Sequence, residues 1–243
     1  MATYAISDIH GNWKRYKAFK SKLCLSDTVY VLGDVIDKGK DGIDILVDMI
    51  NDGRFIILMG NHEHLMYSYL KAIRNENWDV ASYYEDIWLY TNGGNNTYDQ
   101  YCDLSDHLKE QIDTLFENMP IIMPDVIVNG RHFCLVHSTP GKYRGKETLT
   151  IKETGDNLGN VVPFIWDRVF IENGRKLLDD ERIVIGGHTA TLHHGESGKV
   201  YFDADRIEDA TYIDIDGGCA YGSKDTSLIA LRLDDLTPFS FTD

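Results

Sequence analysis

The first 75 residues predict an α/β fold built on a parallel sheet, and three observations carry that expectation. Short apolar strands alternate with amphipathic helices. The repeat of about 25 residues fits one strand–helix unit. Each strand then ends on glycine and on polar residues able to bind metal.

The elements follow in order. "TYAIS" is a short apolar strand, and "NWKRYKAFKSKL" places Trp13, Tyr16, Phe19 and Lys20 at near-helical spacing. "TVYVLG" is a second strand, rich in β-branched residues. "GIDILVDMIND" puts Ile43, Leu46, Val47 and Ile50 on one helical face and is punctuated by Gly53. "RFIILMG" is a third strand and "HEHLMYSYLKAIRNEN" a third helix. This βαβαβα order implies right-handed crossovers.

Residues 76–120 break the rhythm. "WDVASYYEDIWLYTNGG" and "LSDHLKEQIDTLFENM" read as helices joined by the loop "TNGGNNTYDQYCD", a helical insertion or cap over the sheet. Trp78, Tyr83, Tyr84, Trp88 and Tyr90 are expected to pack helices rather than to stack a base. After Pro120 the chain turns to strands. "DVIVNG-RHFCLVHS" has the pattern of a hairpin turning at Asn129-Gly130. "RIVIGGHT", "VYFDA", "ATYIDIDGG" and "TSLIALRLDD" follow as strands, and "GKYRGKETLTIKETGDNLGN" is the most loop-like stretch. With no internal repeat, residues 1–243 read as one domain.

The 243 residues are 43% hydrophobic and 26% charged, ordinary for a soluble globular chain. The formal net charge of −15 repels polyanions, so nucleic acid is a poor default partner. A local positive pocket, supplied by bound cations, remains compatible with that field. Cys24, Cys102, Cys134 and Cys219 form no CxxC pair, which suits free thiols in a reducing cytoplasm. "MATYAISDIHG" has neither a basic n-region nor an apolar run, and no stretch is long enough for a membrane span, so no membrane partner is expected.

The strand ends carry the chemistry. The first gives Asp8 and His10, the second Asp34 and Asp37, the third Asn61, His62 and Glu63. The carboxyl ends of parallel strands share one edge, so these motifs converge. Asp34, from the middle strand, is placed to bridge two cations. Asp, His and Asn are donors suited to Mn, Fe or Zn rather than to Cu(I). "FCLVHS" adds His137 and "IVIGGHT" adds His188, which makes six ligands with Asp8, His10, Asp34 and Asn61. Gly11, Gly33 and Gly60 let the chain turn at the strand ends. His64, His107, His132, His193 and His194 are expected to be structural.

"SDIHG", "LGDVIDKG" and "MGNHE" resemble the three blocks of the calcineurin-like metallophosphoesterases, phosphoprotein phosphatase branch, and most closely its lambda-phage-like bacterial serine/threonine protein phosphatases. "LYTNGG", "LVHS", "IWDR", "IGGHT" and "YIDIDGG" follow in the family's order. The resemblance implies a four-layer αββα sandwich, two mixed β-sheets flanked by helices. It implies two divalent metal ions, Mn²⁺ foremost, with Fe and Zn as alternatives. By resemblance Asp8 and His10 bind the first ion, Asp34 bridges, and Asn61, His137 and His188 bind the second. His62 is the implied general acid, Asp37 orients it, and Arg168 grips phosphate. Lys38, Asn61 and Tyr221, the last in a loop that overhangs the family's site, complete the expected substrate contacts.

Two departures stand out. Lys38 replaces the family's usual arginine, and Met59 stands where lambda-like members often carry another. Lys142 or Arg144, directly after His137, could offset them.

The expected reaction is phosphomonoester hydrolysis by a hydroxide bridging the two metals, on a phosphorylated serine or threonine, or tyrosine, of a protein, or on a small phosphoester. A symmetrical dinucleoside tetraphosphate hydrolase and a nucleotide or RNA-end phosphatase are the alternatives, and an inactive metal-binding scaffold is the non-enzyme one. Asp37 and Glu63 tilt toward the phosphatase, since such hydrolases often lack the first and replace the second by Asp. The sequence leaves oligomeric state open.

Overall fold

The computed structural model of the protein describes residues 1–154, 158–168 and 176–243. Its first third alternates strand and helix: β1 (Thr3–Ile6), α1 (Trp13–Lys20), β2 (Thr28–Val31), α2 (Gly42–Ile50), β3 (Phe55–Ile57) and α3 (Asn61–Arg74). A helical region follows: α4 (Trp78–Glu85), a π-helical turn (Asp86–Thr91), α5 (Asn95–Cys102) and α6 (Asp106–Asn118). The remainder comprises β4 (Pro120–Val128), β5 (Arg131–Val136), β6 (Leu149–Thr150), α7 (Ile151–Thr154), α8 (Leu158–Ile165), β7 (Ile183–Gly186), β8 (Tyr201–Phe202), β9 (Tyr212–Asp214), β10 (Leu228–Arg232) and β11 (Thr237–Phe241).

The strands form two mixed sheets, ordered β11-β10-β1-β2-β3 and β6-β4-β5-β7-β9-β8. β1, β2 and β3 are parallel neighbours, and so are β5, β7 and β9. Alternation along each strand explains the layering. Ala5, Ile229 and Leu231 of the first sheet meet Phe133, Leu135, Ile185 and Ile213 of the second in a buried layer between them. The opposite faces, Ile6, Val29, Val31 and Ile57, pack under Tyr16, Phe19, Leu46, Met49 and Leu65 of the first three helices. Val161, Phe164 and Ile165 of α8 join the same cluster with Cys134, Val136 and Val184 of the second sheet. Helices therefore flank two sheets, as the fold class expected.

Asn129 and Gly130 both have positive φ, 49° and 79°, which makes the two-residue turn between β4 and β5 the expected tight hairpin. Four expectations differ. The "loop" after Gly94 is helix α5, because Tyr98 packs against Trp88 and Tyr69. The loop-like stretch after Gly141 contains β6, α7 and the start of α8, with residues 155–157 outside those described. β11 had no counterpart in the expectation, since "TPFSF" holds Pro238, which fits only an edge strand and sits on one here. The aromatic helix packs with Trp88, whereas Trp78, Tyr83 and Tyr90 are exposed. The four cysteines are free thiols. Among the described residues no helix is long and apolar enough to cross a membrane.

Candidate metal centre and active site

The side chains singled out from sequence follow the carboxyl ends of β1, β2, β3, β5 and β7, where the two sheets present one common edge. Local backbone geometry aims them inward. Asp8, His10, Asp34, Asp37, Lys38 and His188 all have positive φ, between 48° and 68°. Left-handed backbone costs a non-glycine residue about 1 kcal/mol or more, and such strain collects at functional sites. Gly60 allows the close approach, because a Cβ there would collide with the Asp34 carboxylate.

Asp34 lies at the centre. Its Oδ2 is 3.5 Å from His10 Nε2, 3.6 Å from His137 Nε2 and 3.8 Å from His62 Nε2. Its Oδ1 accepts the N–H of His62, at the N-terminus of α3, at 3.0 Å. Two groups with mutually close ligand atoms share it: His10, Asp34 and His62, and Asp34, His137 and His188. Asp8 Oδ1 stands 3.8 Å from His10 Nε2, while Asp8 Oδ2 accepts the N–H of His188 at 3.0 Å and the hydroxyl of Ser7.

Backbone carbonyls fix the tautomers. His137 Nδ1 is 2.7 Å from the Leu32 oxygen, His10 Nδ1 3.1 Å from that of Ile36, and His188 Nε2 3.2 Å from that of Trp166. A carbonyl only accepts, so each of those nitrogens carries the ring proton. The opposite nitrogens are bare lone pairs, yet His137 Nε2 and His188 Nδ1 stand 3.2 Å apart, with Asn61 Oδ1 at 3.0 Å from the former. Burial holds His137 down at about 4 and His188 at about 2, and His10 well below its usual value, so a proton does not fill the gap at neutral pH. Acceptors facing acceptors without a hydrogen form a cation's donor set, and the residues fit a divalent metal on both sides of Asp34.

Burial also lifts the Asp8 carboxyl to about 7, and burial with the charge of Asp8 lifts Asp34 well above the ordinary range. His62 Nδ1 is 2.6 Å from Asp37 Oδ2, and the same oxygen accepts the indole N–H of Trp88 at 2.8 Å. Burial, then Lys38 and His137, pushes His62 down to about 3, while burial lifts Asp37 to about 6. The 2.6 Å contact favours an imidazolium and burial opposes it. Burial prevails in the substrate-free pocket, which leaves a neutral ring with its proton on Nδ1.

The edge opens into a pocket of about 360 Å³. Lys38, Arg168 and Tyr221 line it with Asp8, His10, Asp34, Asn61, His62 and His188. Arg168 is exposed and donates Nη1–H to the His188 oxygen at 3.2 Å. Lys142 and Arg144, which could offset the two departures, stand outside the pocket lining. Arg144 turns to the carbonyls of Gly141 and Tyr143, at 2.9 and 3.0 Å, and neither side chain lines the pocket. Met59 is fully buried.

Glu63 is no ligand. Its carboxylate is fully buried and accepts N–H groups of Asp34, Val35, Ile36 and Gly60, at 2.7 to 3.3 Å. Sequence reasoning missed Asn92, Trp166 and Asp216, which also line the pocket, and Trp88, which it assigned to packing alone. The "TNGGNN" stretch was the available signal for Asn92, and "IWDR" for Trp166.

Serine/threonine-protein phosphatase 2 of Escherichia coli (strain K12) is 26% identical over 160 residues, 63% of this chain and 64% of its own length. The symmetrical bis(5'-nucleosyl)-tetraphosphatase of Proteus mirabilis (strain HI4320) is 30% identical over 81 residues, 31% of this chain and 30% of its own length. The matched part thus spans less than two thirds of either relative. A solved Saccharomyces cerevisiae protein serine/threonine phosphatase with similarity to human PP5 shares the fold at a TM-score of 0.59 and 13% identity, covering 100% of this chain and 80% of that one. The family profile described as Calcineurin-like phosphoesterase matches residues 1–215, and the chain belongs to that family.

Proposed function

We propose that the protein is a dinuclear phosphomonoester hydrolase of the phosphoprotein phosphatase type. The observation that carries the reading is the Asp34 carboxylate standing between two sets of nitrogen and oxygen donors. Asp8 and His10 would hold one cation, Asn61, His137 and His188 the other, and Asp34 both. Two divalent ions, Mn²⁺ foremost, would supply an activated water and neutralise phosphoryl charge.

The chain's own residues do the rest. Arg168, with its planar fork, grips two phosphoryl oxygens. Lys38 adds a point charge across the pocket, and Tyr221, 58% exposed, flanks the leaving group. The phosphoryl charge beside His62 favours the doubly protonated ring. Nδ1–H stays on Asp37, and Nε2–H passes to the leaving oxygen as the P–O bond breaks. The pocket volume lies at the small end for ligand sites, which suits a phosphoryl group and a compact leaving group. The phosphatase relative matches twice as much of the chain as the tetraphosphatase relatives do, and Asp37 and Glu63 are both engaged.

A symmetrical dinucleoside tetraphosphate hydrolase is the second reading, favoured by the 30–36% identity of those relatives over the part of the chain they match. Turnover with Mn²⁺ on a phosphopeptide, on diadenosine tetraphosphate and on 4-nitrophenyl phosphate separates the two. Higher kcat/KM on the phosphopeptide supports the first reading, and higher kcat/KM on the dinucleotide replaces it with the second. No turnover of any substrate by metal-loaded protein would leave a scaffold.

A further inference from the structure

The helical insertion carries a fully buried tryptophan whose polar edge is not needed for packing. Trp88 lies in the π-helical turn Asp86–Thr91. Such turns are rare and recur at functional sites. Here the turn brings the indole under the active-site edge, with Nε1–H on Asp37 Oδ2 at 2.8 Å. That oxygen is the one bound to His62 Nδ1 at 2.6 Å. A second anchor comes from α5, where Thr97 Oγ1 accepts the Asp37 N–H at 3.1 Å.

The surroundings hold the indole in place. Tyr69 and Tyr98 pack on it, with ring centroids 5.5 and 6.0 Å away. A Cβ on Gly94 would collide with the indole, which accounts for glycine in that turn. Asn92 and Asn95 bind turn carbonyls, of Ile87 at 2.8 Å and Leu89 at 2.9 Å. Asn-Gly-Gly-Asn here builds a mount for one ring. Phenylalanine would keep an aromatic ring at the same site, in a smaller volume, but would lose the N–H that reaches Asp37.

We propose that Trp88 is a positioning residue for proton delivery: it fixes the Asp37 carboxylate, which holds the His62 ring with Nε2 facing the scissile ester. This rests on the reading of His62 as the general acid. Without the indole N–H, the Asp37 carboxylate keeps fewer anchors and the ring loses its fixed orientation. Groups that orient a catalytic imidazole through its second nitrogen commonly matter as much as tenfold or more, about what is seen around metal-bound histidines.

The test is a leaving-group series: 2,4-dinitrophenyl, 4-nitrophenyl and phenyl phosphate, assayed with Mn²⁺ on the full chain. A good leaving group needs no proton, and a poor one does. Trp88→Phe should lower kcat on phenyl phosphate by at least about tenfold and on the dinitrophenyl ester by less than about threefold. His62→Asn should skew the series the same way and further. Bound metal, measured by atomic absorption, should stay equal to that of the parent protein. An equal fall on all three esters, or none, for Trp88→Phe beside a skewed His62→Asn overturns the proposal and leaves the acid reading intact. An unskewed His62→Asn overturns the acid reading and the proposal with it. Should Trp88→Phe not fold, 3-benzothienylalanine placed at position 88, which keeps the bicyclic ring and lacks the N–H donor to Asp37 Oδ2, carries the same test with the same two outcomes.

Discussion

The Glu63 carboxylate accepts the backbone N–H of Asp34 at 2.7 Å. That single contact joins the first turn of α3 to the loop after β2, and with its three companions it sets the left-handed backbone on which Asp34 sits. Glutamine at this position keeps one acceptor and turns an NH₂ toward backbone donors. Glu63→Gln should destabilise the protein by about 1.5–3 kcal/mol, the range for hydrogen bonds to charged groups. It should also lower bound metal. Denaturant unfolding and metal analysis check both, and an unchanged midpoint with full metal content would refute the role given to Glu63.

Metal affinity should depend on pH through carboxyls, not imidazoles. In the metal-free pocket burial holds Asp8 at about 7, against about 4 and about 2 for His137 and His188. A cation entering at pH about 6 displaces the Asp8 proton and meets imidazoles already deprotonated. Binding that releases a proton strengthens as pH rises, so affinity should climb through pH about 7, and the share due to Asp8 should end above it. Calorimetric Mn²⁺ titrations in buffers of different ionisation enthalpy count the protons. More should be released near pH 6 than near pH 8, and a release that grows toward pH 8 would contradict this.

Arg168 is exposed and, among the described residues, donates a hydrogen bond to the His188 oxygen. Its replacement should leave folding nearly untouched. Arg168→Lys keeps the charge and loses the fork, so KM for phosphomonoesters should rise by about tenfold with bound metal unchanged. Steady-state kinetics beside thermal melts test this, and an unaltered KM would remove Arg168 from the phosphate site.

Lys38 is exposed and has a φ of 60°. Glycine relieves the left-handed backbone at little side-chain cost. Lys38→Gly should raise stability by up to about 1 kcal/mol, while it weakens phosphate binding. Chemical denaturation and inhibition by inorganic phosphate report the two effects. Lower stability would show that Lys38 contributes packing instead.

The strand ends were legible because their signal is local. Gly33-Asp34 and Gly60-Asn61-His62 follow apolar runs, and parallel topology does the converging. His137 and His188 were legible for the same reason on the second sheet. What sequence concealed depends on distant partners. Glu63 looks like any acid on a first helical turn, and three of its four N–H donors lie on another loop, the fourth being Gly60 at the cap of its own helix. Trp88 reads as a packing residue because the oxygen it meets is 51 residues away in sequence. Helix α5 was hidden by its asparagines, and tertiary packing of Tyr98 and Tyr101 outweighs their weak helix propensity.

Anomalous diffraction from a crystal grown with Mn²⁺ tests the central claim most directly. The account predicts two peaks, one on each side of the Asp34 carboxylate, the first beside Asp8 and His10 and the second among Asn61, His137 and His188. No peak there, or ions bound without contact to Asp34, would contradict it.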